Sequence, residues 1–211
     1  LADLVARKGG DAALIYHGEP LSFGRLEDQG RRAASVLSNL GVDKGDRVAL
    51  WLPNCPAYFA LCLGCYRLGA IAVAVNTRFR SAEVSDIIRR SGSQLLVMWP
   101  GFRDIDFLRL LAEAADDALA GLRAILLYDE GERVDNIPGA ITHCERFDYN
   151  DLIQCKPYEK DHGEPDLGCN IFTTSGTTQA PKFVLHTQSS LARHARLVAD
   201  GFGYSTSNGA L

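Results

Sequence analysis

Ten consecutive residues near the end of the sequence combine side chains that suit phosphate binding. They read Thr-Thr-Ser-Gly-Thr-Thr-Gln-Ala-Pro-Lys and occupy positions 173–182. Backbone N–H groups and hydroxyls donate hydrogen bonds to phosphate oxygens, and Gly176 lets the main chain approach an anion closely. Lys182 adds a positive charge on a flexible stem. The segment predicts a polyphosphate site, and its strand-like flanks and the placement of the lysine weigh against the alternative of a Ser/Thr-rich surface loop.

The residues on either side of this loop predict a strand before it and a strand after it. Residues 170–174 and 183–186 are short runs rich in β-branched and aromatic side chains. A Walker A loop needs a second glycine where Pro181 stands, and it runs directly into a helix. A phosphotransferase or NTPase of that type is therefore disfavoured. The dinucleotide fingerprint is disfavoured too, because no G-x-G-x-x-G follows a predicted strand.

The preceding part of the chain alternates short apolar runs with amphipathic segments. Strands are predicted at 47–52, 71–75, 94–99 and 124–128, after a small hairpin at 13–23. Strands that are apolar on both faces and separated by helices indicate an α/β fold with a mainly parallel sheet flanked by helices. The pattern weakens from 129 to 168, where one short helix is expected at 147–153. We predict an α/β portion at 1–168, followed by the phosphate-loop hairpin and a final helix at 169–211.

Several residues are predicted to begin or end these helices. Ser22, Ser81 and either Thr187 or Ser189 are suited to helix N-caps. Pro56 suits the first turn of a helix that Gly69 ends.

Composition excludes several classes of function. The 211 residues carry a net charge of −4, whereas domains that bind nucleic acid are usually basic, so the sequence does not favour binding to nucleic acid. No stretch approaches the roughly 20 apolar residues of a membrane span. Cys62 and Cys65 form a CxxC pair without a second pair at zinc-like spacing, so we predict core residues and no metal site. Without a secretion signal, we expect a cytoplasmic protein with reduced thiols.

The loop resembles the phosphate loop of adenylate-forming (AMP-binding) enzymes, whose usual wording is [YT]-[ST]-S-G-[ST]-T-G-x-P-K-G-V. The superfamily includes acyl-CoA and aryl-CoA synthetases, among them fatty-acid–CoA ligases, as well as luciferases and the adenylation domains of peptide synthetases. The resemblance continues outside the loop, at 21–26, 41–54 and 68–78 and at Glu83. The segment at 68–78 is most similar to CoA ligases. Two positions depart from the pattern, because Gln179 and Phe183 stand where the family usually has glycine.

The resemblance implies a ligase that uses ATP, Mg²⁺ and coenzyme A. A carboxylate would attack the α-phosphate to give an acyl-adenylate and pyrophosphate, and the thiol of coenzyme A would then displace AMP. Lys182 is carried over as a catalytic residue that also binds ATP. The other residues carried over as ATP-binding are Thr174, Ser175, Gly176, Thr177 and Thr178.

The resemblance also implies that the chain is the N-terminal part of a longer enzyme. In the family, the adenine-contacting segments, the magnesium-binding glutamate, the acyl pocket and a mobile C-terminal domain follow the phosphate loop. We therefore expect no adenylating activity from residues 1–211 alone, and exposed apolar patches that favour a homodimer or aggregation. A non-catalytic binding module and a peptide-synthetase adenylation domain stay open as alternatives. The carboxylic acid is not specified.

Five further polar or aromatic positions invite a chemical role without a motif to support one. His186 and His194 are predicted to be structural, on a strand and a helix. Arg78 follows the C-terminal end of a strand, where α/β sites form, but a helix-capping or surface role is equally compatible with the sequence. Trp51 and Trp99 are expected in the core or at its rim.

Overall fold

The computed structural model describes residues 2–103, 105–114, 116–131, 144–174 and 182–204. A seven-stranded sheet organises them, with strand order β7-β6-β5-β3-β4-β8-β9. Neighbouring strands are parallel from β7 to β8, and β9 is antiparallel to β8. The strands are β3 (Arg47–Trp51), β4 (Ile71–Ala74), β5 (Leu95–Met98), β6 (Ala124–Leu127), β7 (Glu145–Asp148), β8 (Gly168–Thr174) and β9 (Lys182–Thr187). A separate antiparallel hairpin consists of β1 (Ala12–Tyr16) and β2 (Glu19–Ser22).

Eight helices are present among the described residues. They are α1 (Ala2–Lys8), α2 (Phe23–Asn39), α3 (Pro56–Leu68), α4 (Ser81–Ser91), α5 (Phe107–Ala112), α6 (Asp116–Leu119), α7 (Tyr149–Leu152) and α8 (Gln188–Phe202). The chain passes from β3 to β4 through α3, and from β4 back past β3 to β5 through α4. The predicted α/β class, with a mainly parallel sheet flanked by helices, is confirmed.

The two faces of the sheet are covered by different helices, and each face has its own apolar cluster. One cluster joins β3 and β5 to α2 and α3 and includes Leu37, Leu50 and Leu61. The other joins the opposite face to α4 and α5 and includes Ile87 and Phe107. The alternation of side chains along each strand sends neighbouring residues to opposite clusters. This explains why the central strands are apolar throughout.

The predicted helix boundaries are largely confirmed. Ser22 caps α2 by accepting a hydrogen bond from the Arg25 backbone N–H at 3.3 Å. Gly69 ends α3 in the left-handed conformation, with φ 71°. Thr187, rather than Ser189, caps α8.

Two local predictions were wrong. Ser81 is the first residue of α4 and not its cap, because Arg80 occupies the N-cap position and the Glu83 carboxylate accepts its backbone N–H at 3.0 Å. The helix expected at 147–153 is confined to α7, and the residues before it form β7. β7 is an edge strand whose side chains are exposed or half-buried, so it lacks the apolar run that marked the inner strands. The proposed division at residue 168 stays a prediction, and β8 is hydrogen-bonded to β4 within the same sheet.

The CxxC cysteines lie in the core, as predicted. Cys62 and Cys65 are buried on α3. Burial raises the pKa of the Cys62 thiol to about 12 and raises that of Cys65 well above its usual value. Such thiols stay protonated at neutral pH and are poor metal ligands or nucleophiles. None of the described helices has the length and hydropathy needed to span a bilayer.

Candidate functional site

The strand–loop–strand unit predicted around the phosphate loop is present. β8 ends at Thr174 and β9 begins at Lys182, and these two residues are partners in the antiparallel register. Both side chains are exposed. The other predicted site residues, Ser175, Gly176, Thr177 and Thr178, lie outside the described residues. The register nevertheless brings Thr174 and Lys182 to the same place on the sheet.

The hairpin places both residues at the edge of the sheet where substrates bind in α/β proteins. β8 is parallel to β4, with Ala72 opposite Asn170 and Val73 opposite Ile171. The C-terminal end of β8 therefore lies at the carboxyl edge of the parallel strands. Ligands of open α/β sheets bind outside the carboxyl ends, where the strand order reverses. Here that reversal lies at β3, which β4 and β5 flank on opposite sides.

An open cavity of about 660 Å³ occupies this reversal point. Segments after three parallel strands line it, and so does the end of β8. The lining residues from these elements are Leu52, Pro53 and Asn54 after β3, Ala74, Val75, Asn76, Thr77 and Arg78 at β4, Phe102 and Arg103 after β5, and Phe172 and Thr173 of β8. Thr173, the first residue of the predicted phosphate-binding segment, belongs to this lining.

The charged side chains that line the cavity are both arginines, and they favour anions. Arg78 and Arg103 belong to the lining together with His17, and no carboxylate belongs to it among the described residues. His17 and Arg103 have φ values of 51° and 58°, and they are the non-glycine residues with positive φ in the described part of the chain. His17 and Gly18 form the two-residue turn between β1 and β2, where positive φ values are usual. Neither His17 nor Arg103 belongs to a sequence motif, so their place in the cavity lining could not be predicted from the sequence.

Arg78, for which the sequence left three roles open, lines the cavity instead of capping a helix. Its backbone N–H donates to the Asn76 side chain at 2.9 Å. The Arg80 guanidinium donates to the Arg78 carbonyl at 3.0 Å and to the Phe79 carbonyl at 3.3 Å. These bonds fix the turn between β4 and α4, so the backbone presents Arg78 at the carboxyl edge.

A shared carboxylate attaches the β1–β2 hairpin to the same edge. Glu130, just beyond β6, accepts hydrogen bonds from the hydroxyls of Tyr16 at 2.8 Å and Tyr128 at 3.0 Å. Its second oxygen lies 3.7 Å from Nε2 of His17. Burial raises the pKa of both tyrosines, and the hydrogen bond to Glu130 raises it further. Both hydroxyls therefore stay protonated and keep donating at neutral pH.

The two histidines predicted to be structural have no catalytic surroundings in the described residues. His186 packs edge-on against Phe172, with ring centroids 5.5 Å apart. His194 is exposed on α8. Trp51 is fully buried and packs against Phe107, which confirms the expected core position.

Comparison with known proteins agrees with the geometry of this hairpin. The family model described as "AMP-binding enzyme" matches residues 1–208. The chain belongs to the AMP-binding enzyme family. The resemblance expected from the loop and from the preceding segments is therefore confirmed over nearly the whole sequence.

Curated relatives of this AMP-binding chain are CoA ligases. It is 34% identical over 172 residues to the long-chain-fatty-acid–CoA ligase FadD13 of Mycobacterium tuberculosis, covering 81% of this chain and 30% of that protein. It is 30% identical over 205 residues to the acetyl-coenzyme A synthetase of Streptomyces avermitilis, covering 90% of this chain and 31% of that one. The chain thus spans about a third of the length of the curated relatives it matches.

Solved structures of CoA ligases share the fold of this AMP-binding chain. An anthranilate CoA ligase, AuaEII, in complex with anthranoyl-AMP superposes with a TM-score of 0.76 at 24% identity, over 92% of this chain and 35% of that one. A benzoate CoA ligase from Burkholderia xenovorans LB400 gives 0.70 at 21% identity, over 94% and 35%. At these identities the likeness establishes the fold alone.

Proposed function

We propose that this chain is the N-terminal part of an ATP-dependent acid–CoA ligase of the acyl-CoA synthetase type. In the first step a carboxylate attacks the α-phosphate of ATP, which gives an acyl-adenylate and pyrophosphate. In the second step the thiol of coenzyme A displaces AMP and forms a thioester. The observation that supports this most is the pairing of Thr174 with Lys182 at the carboxyl edge of the sheet, in a chain of the AMP-binding family.

The loop residues would bind and neutralise the departing pyrophosphate. Negative charge grows on the β- and γ-phosphates as the bond to the α-phosphate breaks, so fixed donors there lower the barrier. We assign the hydroxyls of Thr174, Ser175, Thr177 and Thr178, the backbone of Gly176 and the ammonium of Lys182 to this role. The exposure of Thr174 and Lys182 at the mouth of the hairpin fits contact with a ligand.

The described residues offer no site that could hold a magnesium ion through protein ligands alone. They contain no group of three or more His, Cys, Asp or Glu side chains able to hold a metal ion. Mg²⁺ is commonly held by substrate phosphates with one or two carboxylates. No step of the proposed reaction is therefore assigned to a metal ligand of this chain.

The cavity beside the hairpin supports a role in receiving anionic reactants. ATP and coenzyme A both carry phosphate groups, and Arg78 and Arg103 place two positive charges in the lining of the cavity. Because the chain spans about a third of its curated relatives, we propose that the complete catalytic site needs further segments. We expect no adenylation by residues 1–211 alone. A cytoplasmic location also stays a proposal.

The decisive experiment is ATP–pyrophosphate exchange by the protein extended to the length of its relatives, screened against fatty, aryl and amino acids. We expect exchange with at least one carboxylic acid, followed by thioester formation with coenzyme A. Replacing Lys182→Met should lower exchange by about 100-fold, since one preorganised donor at developing charge contributes roughly that factor. Lys156→Met, at an exposed position after α7, is the matched control.

Two experimental results would contradict the proposed function. A full-length protein that exchanges pyrophosphate with none of these acids, despite native folding, would refute the ligase assignment. Equal exchange by the Lys182→Met and Lys156→Met variants would refute the role of Lys182.

A further inference from the structure

Phe183, which follows Lys182 directly, makes contacts that a glycine could not make. Its ring is half-buried and packs against the apolar cluster between the sheet and α4. The guanidinium carbon of Arg90 lies 4.3 Å from the ring centroid, over its face. Cations over an aromatic face are attracted by the quadrupole of the ring. Phe183 is therefore held both by apolar packing and by an arginine of α4.

Arg90 is itself oriented by a second residue of α4. Its Nη1 lies 2.8 Å from Oδ2 of Asp86, one helical turn earlier. The Asp86 side chain is 24% exposed and that of Arg90 is 38% exposed, so the pair is partly shielded from water. Because Asp86 already restricts the Arg90 guanidinium, packing over the ring of Phe183 costs less conformational entropy than it would for an arginine without a partner. Contacts from Asp86 to Arg90 and from Arg90 to Phe183 thus connect the last two turns of α4 to the start of β9.

The contact of Phe183 with α4 also determines the face of the sheet on which Lys182 lies, because side chains alternate along a strand. Successive strand residues point to opposite faces, and antiparallel partners share a face. Phe183 and its partner Thr173 lie on the α4 face, while Lys182 and its partner Thr174 lie on the other. Ile171, on the same face as Thr173, packs against the same cluster as Phe183, as this alternation requires. Holding the ring of Phe183 against α4 therefore keeps Lys182 on the opposite face, beside Thr174.

β9 needs such an anchor more than the inner strands do. It lies at the end of the sheet and pairs with β8 alone in the described strand order. Its other large apolar residues, Val184 and Leu185, are 39% and 55% exposed. Phe183 is the point at which the start of this edge strand is attached to a helix.

We infer that the Arg90–Phe183 contact is a positioning device that holds the start of β9 so that Lys182 is placed for the polyphosphate. The inference rests on the proposed function, because it assigns Lys182 a phosphate to bind. It also assigns a purpose to the departure from the usual glycine at residue 183. We assign Phe183 and Arg90 a positioning role, in which they act through Lys182.

The test compares Arg90→Gln, Phe183→Leu and Phe183→Gly with Arg89→Gln in the protein extended to the length of its relatives. Arg89 is a matched control on the same helix, since its guanidinium pairs with Asp117 of α6 at 3.2 Å. Phe183→Leu keeps apolar bulk and removes the ring face, so it guards against a simple failure to fold. Three measurements are made: KM for ATP and for the acid in pyrophosphate exchange, affinity for inorganic tripolyphosphate, and amide hydrogen exchange of β9.

We expect Arg90→Gln and Phe183→Leu each to raise KM for ATP and weaken tripolyphosphate binding by about fivefold, and Phe183→Gly by more than tenfold. KM for the acid should change by less than twofold, and Arg90→Lys, which keeps a cation, should restore most of the loss. The double variant Arg90→Gln/Phe183→Leu should be no worse than either single one, because both remove the same contact. Amide exchange in β9 should be faster in every variant that loses the contact.

Two results would overturn the inference. One is tripolyphosphate affinity in Arg90→Gln equal to that in Arg89→Gln. The other is faster amide hydrogen exchange in β9 with unchanged tripolyphosphate affinity. That result would show that the contact stabilises β9 but does not position Lys182. If the unmodified protein exchanges pyrophosphate with no acid while Arg90→Gln still weakens tripolyphosphate binding, the ligase proposal fails and the positioning role stands.

Discussion

A buried amide at the start of β8 attaches the phosphate-loop hairpin to the helix packed against it. Asn170 is 1% exposed, and its Oδ1 accepts a hydrogen bond from the hydroxyl of Tyr66 on α3 at 2.8 Å. A second bond runs nearby, from the side chain of Gln188 on α8 to the Tyr66 carbonyl at 3.0 Å. Tyr66 therefore connects α3 to the first strand of the hairpin and to the helix that follows the hairpin.

Replacing Tyr66→Phe should destabilise the protein measurably. The change removes the donor and leaves the Asn170 oxygen buried without it, which costs about 1–3 kcal/mol. Urea unfolding monitored by circular dichroism measures the loss. Tyr204→Phe, at an exposed residue that stacks on Phe202, is the control and should change stability by less than about 0.5 kcal/mol. A Tyr66→Phe variant as stable as the control would show that this bond contributes nothing net.

At the scale of single residues, the sequence was enough to predict candidate phosphate-binding residues, but it did not predict which other residues line the cavity beside them. Lys182 and Thr174 were predictable because their types and spacing form a motif. His17 and Arg103 were not, because a place in the lining of a cavity depends on elements that are far apart in the chain. Arg78 was ambiguous for the same reason, since only the fold decides whether a residue after a strand faces a cavity.

Among the elements, α2 and α3 come so close together that glycine is required between them. A Cβ on Gly64 would lie 2.8 Å from the Ala34 backbone nitrogen and 3.0 Å from the Ala33 carbonyl carbon. These are backbone atoms, which cannot move without shifting α2. A Cβ on Gly201 of α8, by contrast, would meet nothing within 4 Å. The two helical glycines therefore predict opposite responses to the same substitution.

Gly64→Ala should cost about 1–3 kcal/mol, because it forces two packed helices apart. Gly201→Ala should instead stabilise by about 0.5 kcal/mol, because alanine restricts the unfolded chain and suits a helix. Both values come from the same urea titration on the same protein. A Gly64→Ala variant that gains stability as Gly201→Ala does would contradict the close approach of α2 and α3.

The accuracy of the element predictions depended on burial. β3, β4, β5 and β6 were predictable because burial on both faces makes each an unbroken apolar run. β7 was missed because it is an edge strand with no fully buried residue, so its sequence resembles a loop. The order of the strands was not predictable, since pairing between β4 and β8 joins segments almost 100 residues apart.

On the scale of the whole molecule, exposed apolar side chains concentrate on the elements around the hairpin. Six large ones lie on β8, β9 and α8 or just after it: Phe172, Val184, Leu185, Leu197, Phe202 and Tyr204. α8 has no buried residue at all. This agrees with the expected apolar patch, since exposed apolar surface of this extent favours association.

We therefore predict that the 211-residue chain self-associates, as a dimer or larger species, with a dissociation constant in the micromolar range or below. Leu197→Lys together with Phe202→Lys should shift it towards monomer by at least tenfold, because a charge placed in an apolar contact must be desolvated on association. Sedimentation equilibrium over a concentration series measures this directly. Ile15→Lys is the matched control, because Ile15 is 70% exposed but lies on the separate β1–β2 hairpin. A monomer at all concentrations, or equal weakening by Ile15→Lys, would show that the apolar side chains of β8, β9 and α8 do not drive association.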